Sequence, residues 1–417
     1  MRKLLQKYQF QFYLVIIGIF WLLLINFFLQ IFQQNYIYAD TESYIRASKD
    51  FYFSHKPNEI RPSLIAAING LPFLFGFTKS SLFLWNTILN LILWLATLLL
   101  IYSFCSKIVN PKKAFYIALV YVFTLGSLLV VFEFLSEPLF SFSLLVPLIL
   151  FQKYDNTKKI GFLSIGLSML IISMLIKPAS LLLFFVVCFL FGFKVLVKVL
   201  QNKSSIAIYI SIIIVFAHLQ SMKTNYGNYT LSYIDSFTYY NYLGTKSDCL
   251  KNNKEFLQCN NYRYNYFNKF SLPEGKKIAF EDFKNQLTHN TINFMSAYFS
   301  NLVGNSCKAS GYFYAYENKK SSNNFEVYKI IFRGISRIQC LLYSLIGILL
   351  SIYYIFKKKT NKIIKITSFS IVYIIVISAI SSDQGDRFHI VVYPLILILV
   401  AKFLSKKTKL FSEPLQK

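Results

Sequence analysis

Apolar runs at 12–32, 82–105, 114–134, 206–219 and 363–380 dominate the sequence, with shorter ones between them. Most approach the roughly 20 residues that carry a helix across the hydrocarbon core of a bilayer. With 55% apolar and 15% charged residues, the chain has more apolar surface than one soluble core can hide. A membrane is the solvent this pattern asks for.

A net charge of +26 would suggest nucleic acid in a soluble protein. Here the basic residues fall in clusters after every second span: Arg2/Lys3/Lys7, Lys107/Lys112/Lys113, Lys153/Lys158/Lys159, Lys194/Lys198/Lys203, Lys357/Lys358/Lys359/Lys362 and Lys406/Lys407/Lys409. That is the positive-inside pattern, and it calls for no nucleic-acid partner. It gives ten spans, near 12–32, 82–105, 114–134, 138–152, 160–177, 179–193, 206–220, 339–356, 363–381 and 389–405, with both termini cytoplasmic. The expected fold is an all-α multi-pass membrane protein with about ten transmembrane helices. Making 61–77 a further span would turn Lys107, Lys112 and Lys113 outward, so it reads as a re-entrant or interfacial helix. The first apolar run is too long for a signal-peptide core and has no clear cleavage site, so it should remain as an anchor.

Carboxylates follow a second asymmetry. Asp155 and Glu413 fall inside, whereas Asp40, Glu42, Glu137, Asp386 and the rest lie on or near the outer face. Residues 1–220 read as a transmembrane module with an interfacial first outer loop, 33–81. Residues 221–337 read as a small mixed outer subdomain, with helix-like patterning near 281–299, and 338–417 as the closing helices. In the outer segment, where disulfides are permitted, Cys249–Cys259 is the favoured pair among Cys249, Cys259 and Cys307.

Four groups of residues could carry chemistry. Asp40, Tyr44, Ala47 and Phe51 share a helical face just after the first span. Asp40 there is either an N-cap, with Glu42 pairing Arg46 one turn on, or a general base. Arg61-Pro62-Ser63 opens an apolar helix at the membrane surface, where the arginine is solvated, bound to phospholipid, or holds a lipid-linked phosphate. Glu137, after Ser136, and Lys177 lie at span ends. There a capped N-terminus and a cationic C-terminus explain them as well as a site does. Asp386-Arg387 closes the last outer turn, as a neighbouring ion pair or as a functional cation. No P-loop, no Asp-x-Asp pair and no metal-ligand spacing among the four histidines is present, so neither a cofactor nor a catalytic metal is expected.

Taken in chain order, these motifs resemble the GT-C class of membrane glycosyltransferases, which includes protein O-mannosyltransferases and the aminoarabinose transferases of lipid A. Asp40-x-x-x-Tyr44-x-x-Ala47 followed by Arg61-Pro62 is similar to that family's first outer loop. Ser63 replaces a second proline, and the family's adjacent acidic pair is spaced here as Asp40 and Glu42. Ser136-Glu137-Pro138-Leu139, Lys177-Pro178, Arg387-Phe388 and Tyr393-Pro394 are similar to its later motifs.

The resemblance implies inverting transfer of a sugar from a polyprenyl-phosphate donor to a lipid, glycan or protein acceptor. The active site would face away from the cytoplasm, in a bacterial cytoplasmic membrane. Asp40 would be the base, and Glu42, Tyr44, Arg61, Glu137, Lys177 and Arg387 would bind substrate, with membrane lipids as neighbours. The rivals are a flippase or transporter of lipid-linked sugars and a polymerase of lipid-linked repeats.

Overall fold

The computed structural model describes residues 2–33, 40–315 and 323–410, and every regular element among them is a helix. Glu413, assigned above to the inner side, lies outside the described residues, as do the side chains of Arg2, Lys3, Lys7, Lys406, Lys407 and Lys409.

The first half runs α1 (Arg2–Leu29), α2 (Thr41–Tyr52), α3 (Ser63–Asn69), α4 (Lys79–Cys105), α5 (Pro111–Val122), α6 (Leu125–Leu129), α7 (Glu137–Thr157), α8 (Ile160–Ser173), α9 (Ser180–Phe191), α10 (Phe193–Leu200) and α11 (Ile206–Tyr226). Next come α12 (Ile234–Thr238), α13 (Thr245–Asn252), α14 (Phe256–Phe267), α15 (Leu272–His289), α16 (Thr291–Cys307) and α17 (Tyr312–Ala315). The chain closes with α18 (Asn323–Phe356), α19 (Lys362–Ser378) and α20 (Tyr393–Leu410).

Four helical stretches, Tyr8–Leu29, Ser81–Cys105, Lys203–Tyr226 and Asn324–Phe356, are long and apolar enough to cross a membrane. The number becomes six if each of two bent pairs is one span. In the first pair α5 meets Leu125–Phe132 at 64°. Gln339 bridges that break, donating to the Phe123 carbonyl and accepting from the Leu125 N–H, so the backbone groups freed by the bend are satisfied. In the second, α9 stops at Gly192, whose φ of +83° only glycine adopts easily, and the chain turns 103° into α10. The segment 61–77 forms α3 and a 3-10 turn at Leu71–Phe75, each far too short to cross.

The centre of the bundle is α7, packed against α4 and α8, while α20 inserts against α4, α5 and α18. Close approach of α7 and α8 depends on Gly166, because a Cβ there would overlap the Phe151 ring at 2.5 Å. Buried Phe140, Leu145, Phe151, Ile398 and Leu399 fill the space between helices.

The segment 221–337 corrects one expectation. Among its described residues it is helical rather than mixed, its glycines and prolines lying at helix ends or inside helices instead of turning strands. Gly227, at φ +92°, ends α11, and Ser271 with Glu274 forms a capping box over a first turn containing Pro273. The patterned stretch 281–299 is divided between α15 and α16 at Asn290, and 323–337 are the opening turns of α18. Tyr239, Tyr240, Leu243, Phe267 and Phe294 form this unit's own small core. Cys249 and Cys259 are joined as a disulfide, with their Cα atoms 6.0 Å apart.

Candidate functional site

Asp40 occupies the N-cap position of α2 but makes no side-chain cap. Its carboxylate turns to two arginines instead. Oδ1 lies 2.9 Å from Nη2 of Arg61 and Oδ2 lies 2.7 Å from Nη1 of Arg387. Asn58 sets up the first partner, its side-chain oxygen accepting from the N–H groups of Ile60 and Arg61, each at 3.0 Å. The Arg61 guanidinium then lies 4.1 Å over the Tyr44 ring and donates through Nε to Ser43.

Arg387 does not pair with its neighbour Asp386. Its Nε donates to Glu137 Oε1 at 2.9 Å, and Nη1 also donates to Gln384. Glu137 is wholly buried at the first residue of α7, and the same oxygen accepts from Lys177 at 3.1 Å. Ser136 does not cap α7; its hydroxyl accepts from the Tyr44 hydroxyl at 3.0 Å. Five ionisable side chains from four distant parts of the chain therefore form one connected network.

Glu42 stands apart. It pairs with Lys79 rather than Arg46, and Arg46 pairs with Glu59. Glu42 is well exposed, so this pair contributes little.

Asp40, Arg61, Lys177 and Arg387 line a cavity of about 150 Å³ that also meets Tyr242 and Phe237 from the 221–337 segment, whereas Glu137 is buried against Lys177 and Arg387 and does not reach it. Tyr242 sits in a π-helical turn, Tyr239–Gly244, of the kind frequent at functional sites. Tyr242 and Gln384 are site residues that the sequence alone does not point to. Neither carries a local signal, since a π turn and an amide in a polar loop look ordinary in one dimension.

The electrostatics of the network decide what fits. Burial alone would raise the carboxyl of Asp40, but Arg387 and Arg61 outweigh it and hold it well below the usual carboxylate range. Asp40 and Glu137 thus offer two negative charges against the three positive charges of Arg61, Lys177 and Arg387. One positive charge remains, and Lys177, with 21% of its side chain exposed, lines the cavity.

Asp386 is buried beside Gly126, and its Oδ1 has no hydrogen-bond partner among the described residues. Burial, reinforced by Glu133, pushes its carboxyl well above the ordinary range. Among the described residues no group of three or more His, Cys, Asp or Glu is placed to hold a metal ion.

No protein-family model, curated protein or solved structure matches the chain.

Proposed function

We propose that this chain is an integral membrane glycosyltransferase that moves a sugar from a polyprenyl-phosphate carrier to a lipid, glycan or protein acceptor. In this reading ten spans carry the chain across a bacterial cytoplasmic membrane, with the cavity on the extracytoplasmic side. The observation that carries the proposal is the net single positive charge of the connected network, in which Arg61, Lys177, Arg387 and Asp40 line one cavity and Glu137 is buried against two of the cations. A sugar–phosphate–polyprenyl diester is a monoanion with free oxygens, and it matches that balance.

The chemistry follows from the geometry. The acceptor hydroxyl attacks the anomeric carbon, and the bond from that carbon to the phosphate oxygen breaks with its electron pair left on the phosphate. A transition state of oxocarbenium character places growing charge on that oxygen. Arg61, Lys177 and Arg387 stabilise it where a metal would otherwise serve. Asp40 takes the acceptor proton. At rest its two arginines make it a weak base, but a phosphate that draws hydrogen bonds from the same guanidiniums raises its proton affinity as the donor binds. Glu137 holds Lys177 and Arg387 at their stations, and Tyr242 and Phe237 of the outer unit meet the incoming acceptor.

The test is donor class. Purified protein supplied with an envelope extract as acceptor source is expected to transfer sugar from a short-chain polyprenyl-phosphate sugar and to leave nucleotide sugars untouched. Transfer from nucleotide sugars alone would overturn the proposal.

A further inference from the structure

A second cavity lies behind the wall formed by Arg61, Pro62 and Ser63. Arg61 and Pro62 line the small cavity, whereas Ser63 and Leu64 line this one; Lys177 and Ile176 line the first, and Leu175 the second. Its volume is about 640 Å³, within the roughly 300–1,000 Å³ typical of ligand pockets.

The two ends of this cavity differ in chemistry. Leu64, Ala67, Leu175, Ile214 and Ala217 make an apolar wall between α3, the end of α8 and α11. The polar pair Ser63–His218 on this wall is already satisfied. Ser63 Oγ lies 2.7 Å from His218 Nδ1, and His218 Nε2 lies 3.0 Å from the Leu231 carbonyl. A carbonyl only accepts, so Nε2 carries the proton and Nδ1 accepts from Ser63, leaving neither ring nitrogen for a ligand.

His55 and Lys56 also line the cavity, in the turn that follows α2. His55 is exposed and held at a φ of +48°, a left-handed conformation uncommon for a residue with a side chain. Lys56 is 43% exposed, and its acidic neighbour Asp50 is 3.8 Å away and already accepts from Asn58 at 2.8 Å. A cation thus stands beside an apolar channel with only a loose internal partner.

We propose that this cavity binds an acidic phospholipid, with an acyl chain along the apolar wall and the phosphate at Lys56 and His55. The pairing of an apolar channel with an under-paired ammonium complements an amphiphile that carries its anion at one end. A polyprenyl donor fits less well, because its only phosphate belongs to the smaller cavity across the wall and the rest of it has no anion for Lys56. The preference for a phospholipid over a polyprenyl donor rests on the transfer reading, whereas the headgroup selectivity measured below does not, so either can fail alone.

The experiment is native mass spectrometry of the full chain released from nanodiscs containing equal phosphatidylglycerol and phosphatidylcholine. Retained lipid should favour phosphatidylglycerol roughly fivefold, the effect of about one lysine near a phosphate. Lys56→Gln, a change on a half-exposed side chain, should bring the ratio close to one. Ala67→Trp should fill the channel and remove the retained lipid of both kinds, with circular dichroism confirming that the helices persist. Equal retention of the two lipids by the wild-type chain would overturn the proposal. So would an unchanged preference in Lys56→Gln, or release of a polyprenyl lipid from the channel by Ala67→Trp.

Discussion

Nη1 of Arg387 stands 2.7 Å from Oδ2 of Asp40, joining the turn between α19 and α20 to the start of α2. Arg61 takes the other oxygen, and Glu137 takes the other side of the Arg387 guanidinium. The consequences for activity and stability differ by position.

Asp40→Asn keeps the shape of the side chain but cannot accept a proton. Transfer in a single-turnover assay should fall at least about 100-fold. Loss of the carboxylate takes the cavity from one net positive charge to two, so donor affinity measured at equilibrium should hold or rise. Unfolding stability should fall by about 1.5–3 kcal/mol, the worth of hydrogen bonds to a charged group at this partly exposed site. Turnover at the wild-type rate would remove Asp40 from the chemistry.

Glu137→Gln is a structural lesion. The carboxylate is fully buried and serves Lys177 and Arg387 with one oxygen, so its loss leaves two cations facing each other. Breaking a buried pair in this way costs about 3–5 kcal/mol. Thermal unfolding in detergent should therefore drop further than for Asp40→Asn, and a smaller drop would mean that the network is not braced through Glu137.

Lys177→Gln leaves the Glu137–Arg387 pair intact but lowers the net charge of the cavity to zero. Donor affinity should weaken by about tenfold, and the salt dependence of binding should diminish with it. Titration of donor at two ionic strengths checks this; unchanged affinity would place the phosphate elsewhere.

The helical, apolar character of the chain was legible in one dimension, and the reason is physical. The runs at 12–32, 82–105, 206–220 and 339–356 fall on helices of spanning length, and Glu137, Lys177 and Arg387 stand out because they border apolar runs away from the lysine clusters. Pairing was not legible. Local rules would join Glu42 to Arg46, Asp386 to Arg387 and Ser136 to the start of α7, yet each found a different environment. Tertiary folding brought Lys79, Glu59, Asp40 and Tyr44 within reach and left Asp386 buried. The 221–337 segment misled for a related reason. Its Gly and Pro residues serve helix ends as readily as strand turns, and spacing alone does not separate the two.

Asp386 should be visible in the pH dependence of stability. Its folded-state proton affinity is raised, so above the ordinary carboxylate pKa of about 3.9 the unfolded chain binds fewer protons than the folded one. Stability from this group therefore declines as pH rises from that point toward the folded value. Asp40 has the opposite sign: its contribution is complete above the unfolded pKa and is lost only when pH falls through its depressed folded value. Denaturation followed between pH 5 and 8 should show a decline in the wild type that Asp386→Asn reduces and Asp40→Asn leaves in place. An unchanged slope in Asp386→Asn would mean that Asp386 is ionised in the folded protein.

The most direct test of the central claim is the fate of the bond between sugar and phosphate. A polyprenyl-phosphate sugar labelled separately in the sugar and the phosphate is presented to reconstituted protein with an envelope extract as acceptor source, without ATP or a membrane potential. A glycosyltransferase separates the labels, with sugar appearing on acceptor as polyprenyl phosphate accumulates in equal amount. Labels that stay joined while the lipid crosses between leaflets would contradict the account and make Arg61, Lys177 and Arg387 a headgroup path for a flippase.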